Sequence, residues 1–177
     1  MPPLGDIKSI KQAIQDKDLF PLLNPLTSWD DYFLGMCDAV KNKSKDPKRR
    51  VGAVIINPNT NIILATGLNG FPRGVTDSDE RMNDPELKDI YMVHGEENAI
   101  AAAAREGHPL EGSVLYCNCF VCHKCAKLIV QTGIQEVRVS VHTFMDEFNH
   151  HRADKLVHTL TILEEGGVAA IIMGSNN

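Results

Sequence analysis

Long hydrophobic runs are missing from this sequence: no segment approaches the roughly 18 consecutive apolar residues that cross a bilayer. Its start also lacks the basic residues, apolar centre and small-residue cleavage site of a secretory leader. These two absences predict a soluble, cytoplasmic protein without a membrane partner. There is no basic surplus either, since 18 Lys and Arg stand against 23 Asp and Glu, a formal net charge of -5. A polyphosphate backbone finds no bulk attraction in such a chain, so a long nucleic acid is a poor candidate partner, while a few local arginines can still hold a small anion. Cysteine is sparse, and four of the five cysteines fall between Cys117 and Cys125. That clustering is unlike a disulfide framework spread through a small secreted domain, and it points to metal or redox chemistry. Internal repeats and low-complexity segments are absent.

What is present fits one globular domain, with 43% hydrophobic and 23% charged residues in a chain of 177. Residues 1–27 read as an N-terminal extension, in which Ile7, Ile10 and Ile14 mark a short amphipathic helix that Pro21 and Pro25 break. It would pack on the domain or on a neighbouring subunit. Residues 28–177 read as the main domain. Thr27 or Ser28 caps a first helix whose Trp29, Tyr32, Phe33, Met36 and Val40 recur at three- and four-residue steps as a buried face, and which ends before Pro47. The β-rich runs 51–56 and 61–68, joined through Asn57, Pro58 and Asn59, predict an antiparallel hairpin. Residues 69–90 lack periodicity and read as a long loop that reaches the functional site. Helices over about 93–106, 122–132 and 152–164 then alternate with strands over 113–117, 136–139 and 169–173. This order predicts an α/β fold, a three-layer α/β/α sandwich around a central mixed five-stranded sheet whose later strands run parallel.

Zinc favours four ligands from thiolate, imidazole and carboxylate, and a catalytic site leaves the fourth position to water. Cys122 and Cys125, three apart at a helix start, share one face there, and the positive end of the helix dipole favours their thiolates. The run Val93-His94-Gly95-Glu96 opens the preceding helix and offers a histidine with a carboxylate two residues on. Positions two apart in a helix diverge by roughly 200°. Both can therefore serve one centre only at an N-terminus, where side chains reach past the end. The two helix starts are thus expected to face each other at one edge of the sheet, the usual place for ligands in open α/β sheets. One catalytic zinc ion with two thiolates and a neutral imidazole is formally neutral and needs a neighbouring base to activate water. Glu96 fits that role by accepting a proton and returning it to a ring nitrogen and a leaving amine. The chemistry this implies is hydrolytic loss of ammonia from an amino-substituted aromatic ring.

His94-Gly95-Glu96 with Cys122-x-x-Cys125 resembles the signature of the zinc nucleobase deaminases, HxE followed by PCxxC. Further segments in the same order make the chain similar to the deoxycytidylate (dCMP) deaminase family. They are Trp29-Asp30-Asp31-Tyr32-Phe33, Ser44-Lys45-Asp46-Pro47, Val51-Gly52-Ala53-Val54, Asn69-Gly70-Phe71-Pro72-Arg73-Gly74, Glu97-Asn98-Ala99-Ile100, and Cys125-Ala126-Lys127-Leu128-Ile129 with Gly133-Ile134. The resemblance covers about residues 28–140. It implies a cytidine deaminase-like fold, conversion of dCMP to dUMP and ammonia, a nucleoside triphosphate effector near residues 69–74, and a homo-hexamer. It also implies that Asn69 hydrogen-bonds the sugar and that Phe120 packs near the base.

Three positions depart from the family pattern. Gly95 replaces the usual alanine, Val121 the usual proline, and Leu68 the usual tyrosine. Gly95 and Leu68 would enlarge or depolarise the pocket and admit a modified cytosine or another amino-heterocycle, and Gly95 and Val121 count among the substrate-binding candidates. Residues 140–151 show little resemblance. Arg73 and Arg81 read either as holders of a substrate or effector phosphate or as solvated loop residues. Cys117, Cys119, Cys122 and Cys125 could instead form a closed structural site, which would leave His94 and Glu96 without a task. Glu97 reads as a first-turn charge favoured by the dipole. His123, His142, His150 and His151 are candidates for a second metal or plain exposed histidines. An inactive nucleotide-sensing domain and nucleic-acid editing are the competing functions; the intact Glu96 argues against the first and the acidic balance against the second.

Overall fold

A computed structural model of the chain describes residues 8, 11–12, 28–144 and 153–174. Helix α1 (Ser28–Lys41) precedes the hairpin of β1 (Gly52–Asn57) and β2 (Ile62–Leu68). Two short helices, α2 (Asp79–Asn83) and α3 (Pro85–Tyr91), lead into α4 (Gly95–Glu106). Then come β3 (Val114–Cys117), α5 (His123–Gln131), β4 (Glu136–Ser140), α6 (Ala153–Glu165) and β5 (Ala169–Met173). The strands form one five-stranded sheet in the order β2-β1-β3-β4-β5. β1 is antiparallel to both neighbours, whereas β3, β4 and β5 are parallel. The mixed sheet and its parallel later half match the sequence expectation.

Period-two alternation decides how the layers form. Ala53 and Ile55, Leu115 and Cys117, and Val137 and Val139 face one side, where they meet Ala99 and Ala103 of α4, Ile129 of α5, and Leu160 and Leu163 of α6. Val54, Ile56, Val114 and Tyr116 face the other side and pack on Phe33 and Cys37 of α1. Helices therefore cover both faces, and the sandwich is three-layered. Among the described residues no helix is long and apolar enough to cross a membrane.

The structure corrects three local expectations. Trp29 and Tyr32 do not belong to the buried face of α1: they are 51% and 50% exposed, and Met36 and Val40 are only partly buried. The inward face runs through Asp30, Phe33 and Cys37, because Asp30 accepts hydrogen bonds from the Tyr116 hydroxyl (2.7 Å) and Arg138 Nη1 (2.9 Å) beneath the helix. A buried carboxylate with two donors turned the helix one step from the aromatic stripe. Residues 69–90 are not one loop, since α2 and α3 occupy much of them. Ser78 Oγ accepts from Arg81 N at 3.3 Å, and Asp84 Oδ1 accepts from Glu86 N and Leu87 N at 2.9 Å, with Pro85 opening α3. At five and seven residues these helices are too short to show periodicity. The hairpin turn extends to Asn61, whose φ of 57° closes it. Ile7, Ile10 and Ile14 lie outside the described residues; Lys11 Nζ, from the same segment, meets Glu164 of α6 at 2.6 Å.

The placement of α4 is set by backbone contact. A methyl group on Gly67 of β2 would lie 2.1 Å from Gly95 O and 2.2 Å from Ala99 N, both main-chain atoms that cannot swing aside. Asn98 Nδ2 donates to Leu68 O at 2.7 Å and pins the same seam. Gly67→Ala is expected to push α4 off the sheet and destabilise the fold by about 3 kcal/mol or more. Denaturant unfolding of the two proteins at equal zinc content checks this; unchanged midpoints would contradict the close approach.

Candidate functional site

His94 is the N-cap residue of α4 and Cys122 that of α5, so each side chain projects beyond a helix start. His94 is delivered by a short antiparallel bridge in which Gly70 N donates to Val93 O at 3.1 Å and Val93 N to Gly70 O at 2.9 Å. The Glu97 carboxylate then accepts from His94 N at 2.8 Å, which makes it a cap. Cys125 follows within the first turn of α5. The two starts converge as their spacing predicted: Cys122 Sγ and Cys125 Sγ each lie 3.4 Å from His94 Nδ1 and 3.7 Å from each other.

Those separations fit a metal. With bonds of about 2.3 Å to sulfur and about 2.0 Å to nitrogen, a tetrahedral zinc holds two sulfurs about 3.8 Å apart and a sulfur and a nitrogen about 3.5 Å apart. The protonation chemistry fits as well. The hydrogen bond from Cys125 and then the neighbouring His94 ring lower the Cys122 thiol, while the same contact pushes Cys125 well up. The bond to Cys122 raises His94 to about 9, against the effect of burial. With protons in place, whether as a neutral imidazole and two thiols or as an imidazolium, a thiolate and a thiol, the trio has a net charge of zero. Exchanging two protons for one divalent zinc leaves that sum at zero, so metal binding adds no net charge to a half-buried site. Among the described residues, this trio is the group of three or more His, Cys, Asp or Glu side chains that converge closely enough for a metal.

Glu96, the second residue of α4, is 3% exposed. Burial raises its carboxyl to about 7, with the His94 charge opposing the rise. A carboxyl poised near neutrality can both take up and return a proton. His94, Glu96 and Cys122 line a cleft of about 660 Å³. Its walls include Phe120 and Val121, Asn83, Pro85 and Lys88 of the α2–α3 hairpin, and Lys155, Leu156 and Thr159 of α6. Phe120 is buried and meets Phe144 edge to face, with ring centroids 5.2 Å apart.

The cleft thus gathers His94, Cys122, Glu96, Phe120, Val121 and Asn69, with Cys125 at the metal-capable trio. Asn69 lines the cleft and also has a structural part. Its Nδ2 donates to Asp46 Oδ2 (3.0 Å) and Arg49 O (2.8 Å), and its Oδ1 accepts from Ser44 Oγ (2.7 Å) and Val51 N (2.8 Å). Both amide donors are thereby used, and the one Ser44 hydroxyl proton lies within reach of both Asn69 Oδ1 and Asn69 O (2.8 Å). Asn69 clamps the 44–51 segment. Gly95 does not widen the pocket: a methyl there would point into the helix–sheet seam, 3.1 Å from Val51 Cγ1. Neither Arg73 nor Arg81 lines the cleft. Arg73 is exposed, and the Arg81 guanidinium stacks 4.3 Å from the Tyr91 ring centroid and donates to Thr76 O at 3.3 Å, which braces the hairpin. The four-cysteine site does not form, because Cys117 is sealed in β3 and Cys119 Sγ accepts from Arg49 Nη2 at 3.0 Å. His123 lines the cleft, His142 is exposed, and His150 and His151 lie outside the described residues.

The sequence reading missed the cations that do line the cleft, Lys48, Arg49, Lys88, Lys124 and Lys155. The run Lys48-Arg49-Arg50 directly before β1 was a visible signal for two of them. Lys88 had none, because its direction depends on the unrecognised α3.

Comparison with known proteins places this geometry in context. The family described as the cytidine and deoxycytidylate deaminase zinc-binding region matches residues 27–141. A Drosophila melanogaster protein named as a probable deoxycytidylate deaminase is 34% identical over 144 residues, covering 76% of this chain and 70% of its own. The deoxycytidylate deaminase of Schizosaccharomyces pombe is 36% identical over 159 residues, and there the match takes in 83% of this chain but 45% of the relative. In fold, the chain resembles the dCMP deaminase of cyanophage S-TIM5, crystallised with dCMP and dUMP. The TM-score is 0.66 and the identity 23%, over 85% of this chain and all of that one.

Zinc content separates the trio from the four-cysteine alternative. About one equivalent per chain is expected in the unmodified protein and in Cys119→Ser, and about a tenth of that or less in Cys122→Ser or Cys125→Ser. Elemental analysis of the purified proteins reads this directly; zinc lost from Cys119→Ser to the same extent would restore the closed site.

Proposed function

This chain belongs to the cytidine and deoxycytidylate deaminase zinc-binding family, and from that premise we propose that it hydrolyses a pyrimidine nucleotide, converting dCMP to dUMP and ammonia. The observation that carries the reading is the convergence of His94 Nδ1 with the Cys122 and Cys125 sulfurs in a cleft where the one deeply buried carboxyl among the lining acids with a raised pKa is Glu96. The relatives named deoxycytidylate deaminase support the substrate, as does the phage enzyme crystallised with dCMP and dUMP. Residues 28–177 would form the catalytic domain, with 1–27 as an extension. The same reading includes a cytoplasmic location, homo-oligomeric assembly as a hexamer, and a nucleoside triphosphate effector.

His94, Cys122 and Cys125 hold the zinc, which when bound supplies a Lewis-acidic position for the attacking water. Glu96 takes one proton from the attacking water and passes it to the ring nitrogen next to the reacting carbon, then takes the second from the new hydroxyl on that carbon and passes it to the departing amine. Its carboxyl, raised to about 7 by burial, suits transfer in both directions near neutral pH. Phe120 and Val121 place an apolar wall beside the base and exclude bulk water from the proton path. Glu97 and the Gly70–Val93 bridge fix the His94 backbone, so the histidine enters the site with its direction set. Asn69 acts one layer further out, because its clamp on Val51 N ties the start of β1 to the residue before that bridge.

Glu96→Gln preserves size and is expected to keep zinc and fold while lowering kcat on dCMP by about 10²- to 10⁴-fold. Ammonia release from dCMP, CMP, dCTP, cytidine, adenosine and guanine, measured beside that variant, tests the substrate as well. Turnover of a purine or a free base alone would leave the chemistry standing and refute the nucleotide; near-normal activity in Glu96→Gln would refute the proton shuttle.

A further inference from the structure

The cleft is positive in a chain that is acidic overall. Lys48, Arg49, Lys88, Lys124 and Lys155 line it against Asp46, Asp89 and Glu96, while the whole sequence has 18 Lys and Arg and 23 Asp and Glu. Lys48, Lys124 and Lys155 are exposed, and ammonium groups on free stems in water contribute little to binding. Lys88 is held differently. Its side chain is 18% exposed, and its Nζ lies 2.7 Å from Oδ1 of Asp46, whose side chain is 3% exposed.

Asp46 does not need Lys88 to satisfy its carboxylate. Oδ1 also accepts from Lys48 N at 2.8 Å and Arg49 N at 3.0 Å, and Oδ2 accepts from Asn69 Nδ2 at 3.0 Å. These donors belong to the backbone and to the Asn69 clamp, so the carboxylate is a fixed point. Burial would raise its pKa, but the Lys88 bond and the two backbone donors outweigh that and hold Asp46 ionised. Its contact with Lys88 uses one of the three N–H bonds of the ammonium and sets the direction of the other two. Lys88 is thus a half-buried, oriented cation on the cleft wall, where a charge-assisted hydrogen bond is stronger than in open water. The three N–H donors on Asp46 also offset the repulsion that a bare carboxylate would exert on an incoming anion.

On the nucleotide reading above, we infer that Lys88 is the specificity-determining residue that binds the phosphate of the substrate, with Asp46 as the positioning residue that aims it. Arg73 and Arg81, the phosphate candidates legible in the sequence, lie outside the cleft lining. The alternative role for Lys88 is structural: the Lys88–Asp46 and Lys45–Asp77 pairs would simply strap the α2–α3 region to the 44–50 segment. The two roles differ in what they do to an isolated phosphate.

The test uses the zinc-loaded full chain, with steady-state kinetics on dCMP and calorimetric titration of inorganic phosphate. Lys88→Met keeps the length and apolar stem of the side chain. It is expected to raise KM for dCMP by about 10- to 100-fold and to weaken inorganic phosphate by about tenfold or more, the range that one charged hydrogen bond commands. Zinc content and kcat should stay within about threefold. Lys88→Arg, which retains the charge, should recover part of both losses. Unchanged phosphate affinity in Lys88→Met overturns the inference, as does a joint collapse of kcat and zinc content, the signature of a strap. An unmodified protein that turns over no dCMP defeats the nucleotide reading instead, and the phosphate titration still decides Lys88.

Discussion

Everything at the site depends on two helix starts being held against the same end of one sheet. α4 can reach that position because Gly67 presents no side chain to the Gly95 carbonyl and the Ala99 amide. α5 reaches it because β3 ends at Cys117 and the chain turns back over the same face within five residues, bringing Cys122 to an N-cap. Neither helix could supply the metal-capable trio alone: His94 lies at one start and the two cysteines at the other. The separations of 3.4 and 3.7 Å among the three ligand atoms are therefore a consequence of helix–sheet packing, and a shift of α4 along the sheet would disperse them.

The electrostatics of the site reflect a contest between these helix starts and burial. Each N-terminus favours nearby negative charge by roughly 0.3 to 1 kcal/mol. For Cys122 this acts in the same direction as its hydrogen-bond partners, and both favour the thiolate. For Glu96 it acts against desolvation. A carboxyl raised from 4.5 to about 7 reflects about 3 kcal/mol of disfavour for its charged form, so burial exceeds the dipole by a factor of about three or more. The result is a carboxyl able to exchange protons near neutrality in a place where most carboxylates are spectators.

How legible this was in the sequence varied with the range of the interaction involved. Ligand spacing and helix-start placement are local, so His94, Glu96, Cys122 and Cys125 could be named together before any coordinates, whereas the layer each strand residue faces came from the packed sheet. The inner face of α1 was less readable. It depends on Asp30 finding Tyr116 and Arg138, which lie on strands far along the chain. The same limit explains the arginines: Arg81 stands in a polar segment that suggests a free loop, yet the Ser78 and Asp84 caps make helices there and turn Arg81 onto Tyr91. Those two caps, with proline directly after Asp84, were written in the sequence. Asn69 was legible as a cleft residue, but its clamp on Asp46, Arg49 and Val51 is a tertiary fact.

The contrast between the acidic chain and its basic cleft follows from the ranges over which the two kinds of charge act. A net charge of -5 spread over the surface governs encounters with polyanions, and at physiological salt it is screened beyond roughly 8 Å. A single phosphate inside a cleft responds to the few groups within that distance, and screening is weak where side chains are half-buried. Acidity therefore disfavours a long strand without disfavouring a mononucleotide. The walls act in the same direction, because the α2–α3 hairpin on one side and α6 on the other bound a cleft of about 660 Å³, within the range of small-molecule sites. Shape and charge both suit a small anionic ligand, and Lys88 and Lys155 lie on segments outside the two helices that carry the metal ligands.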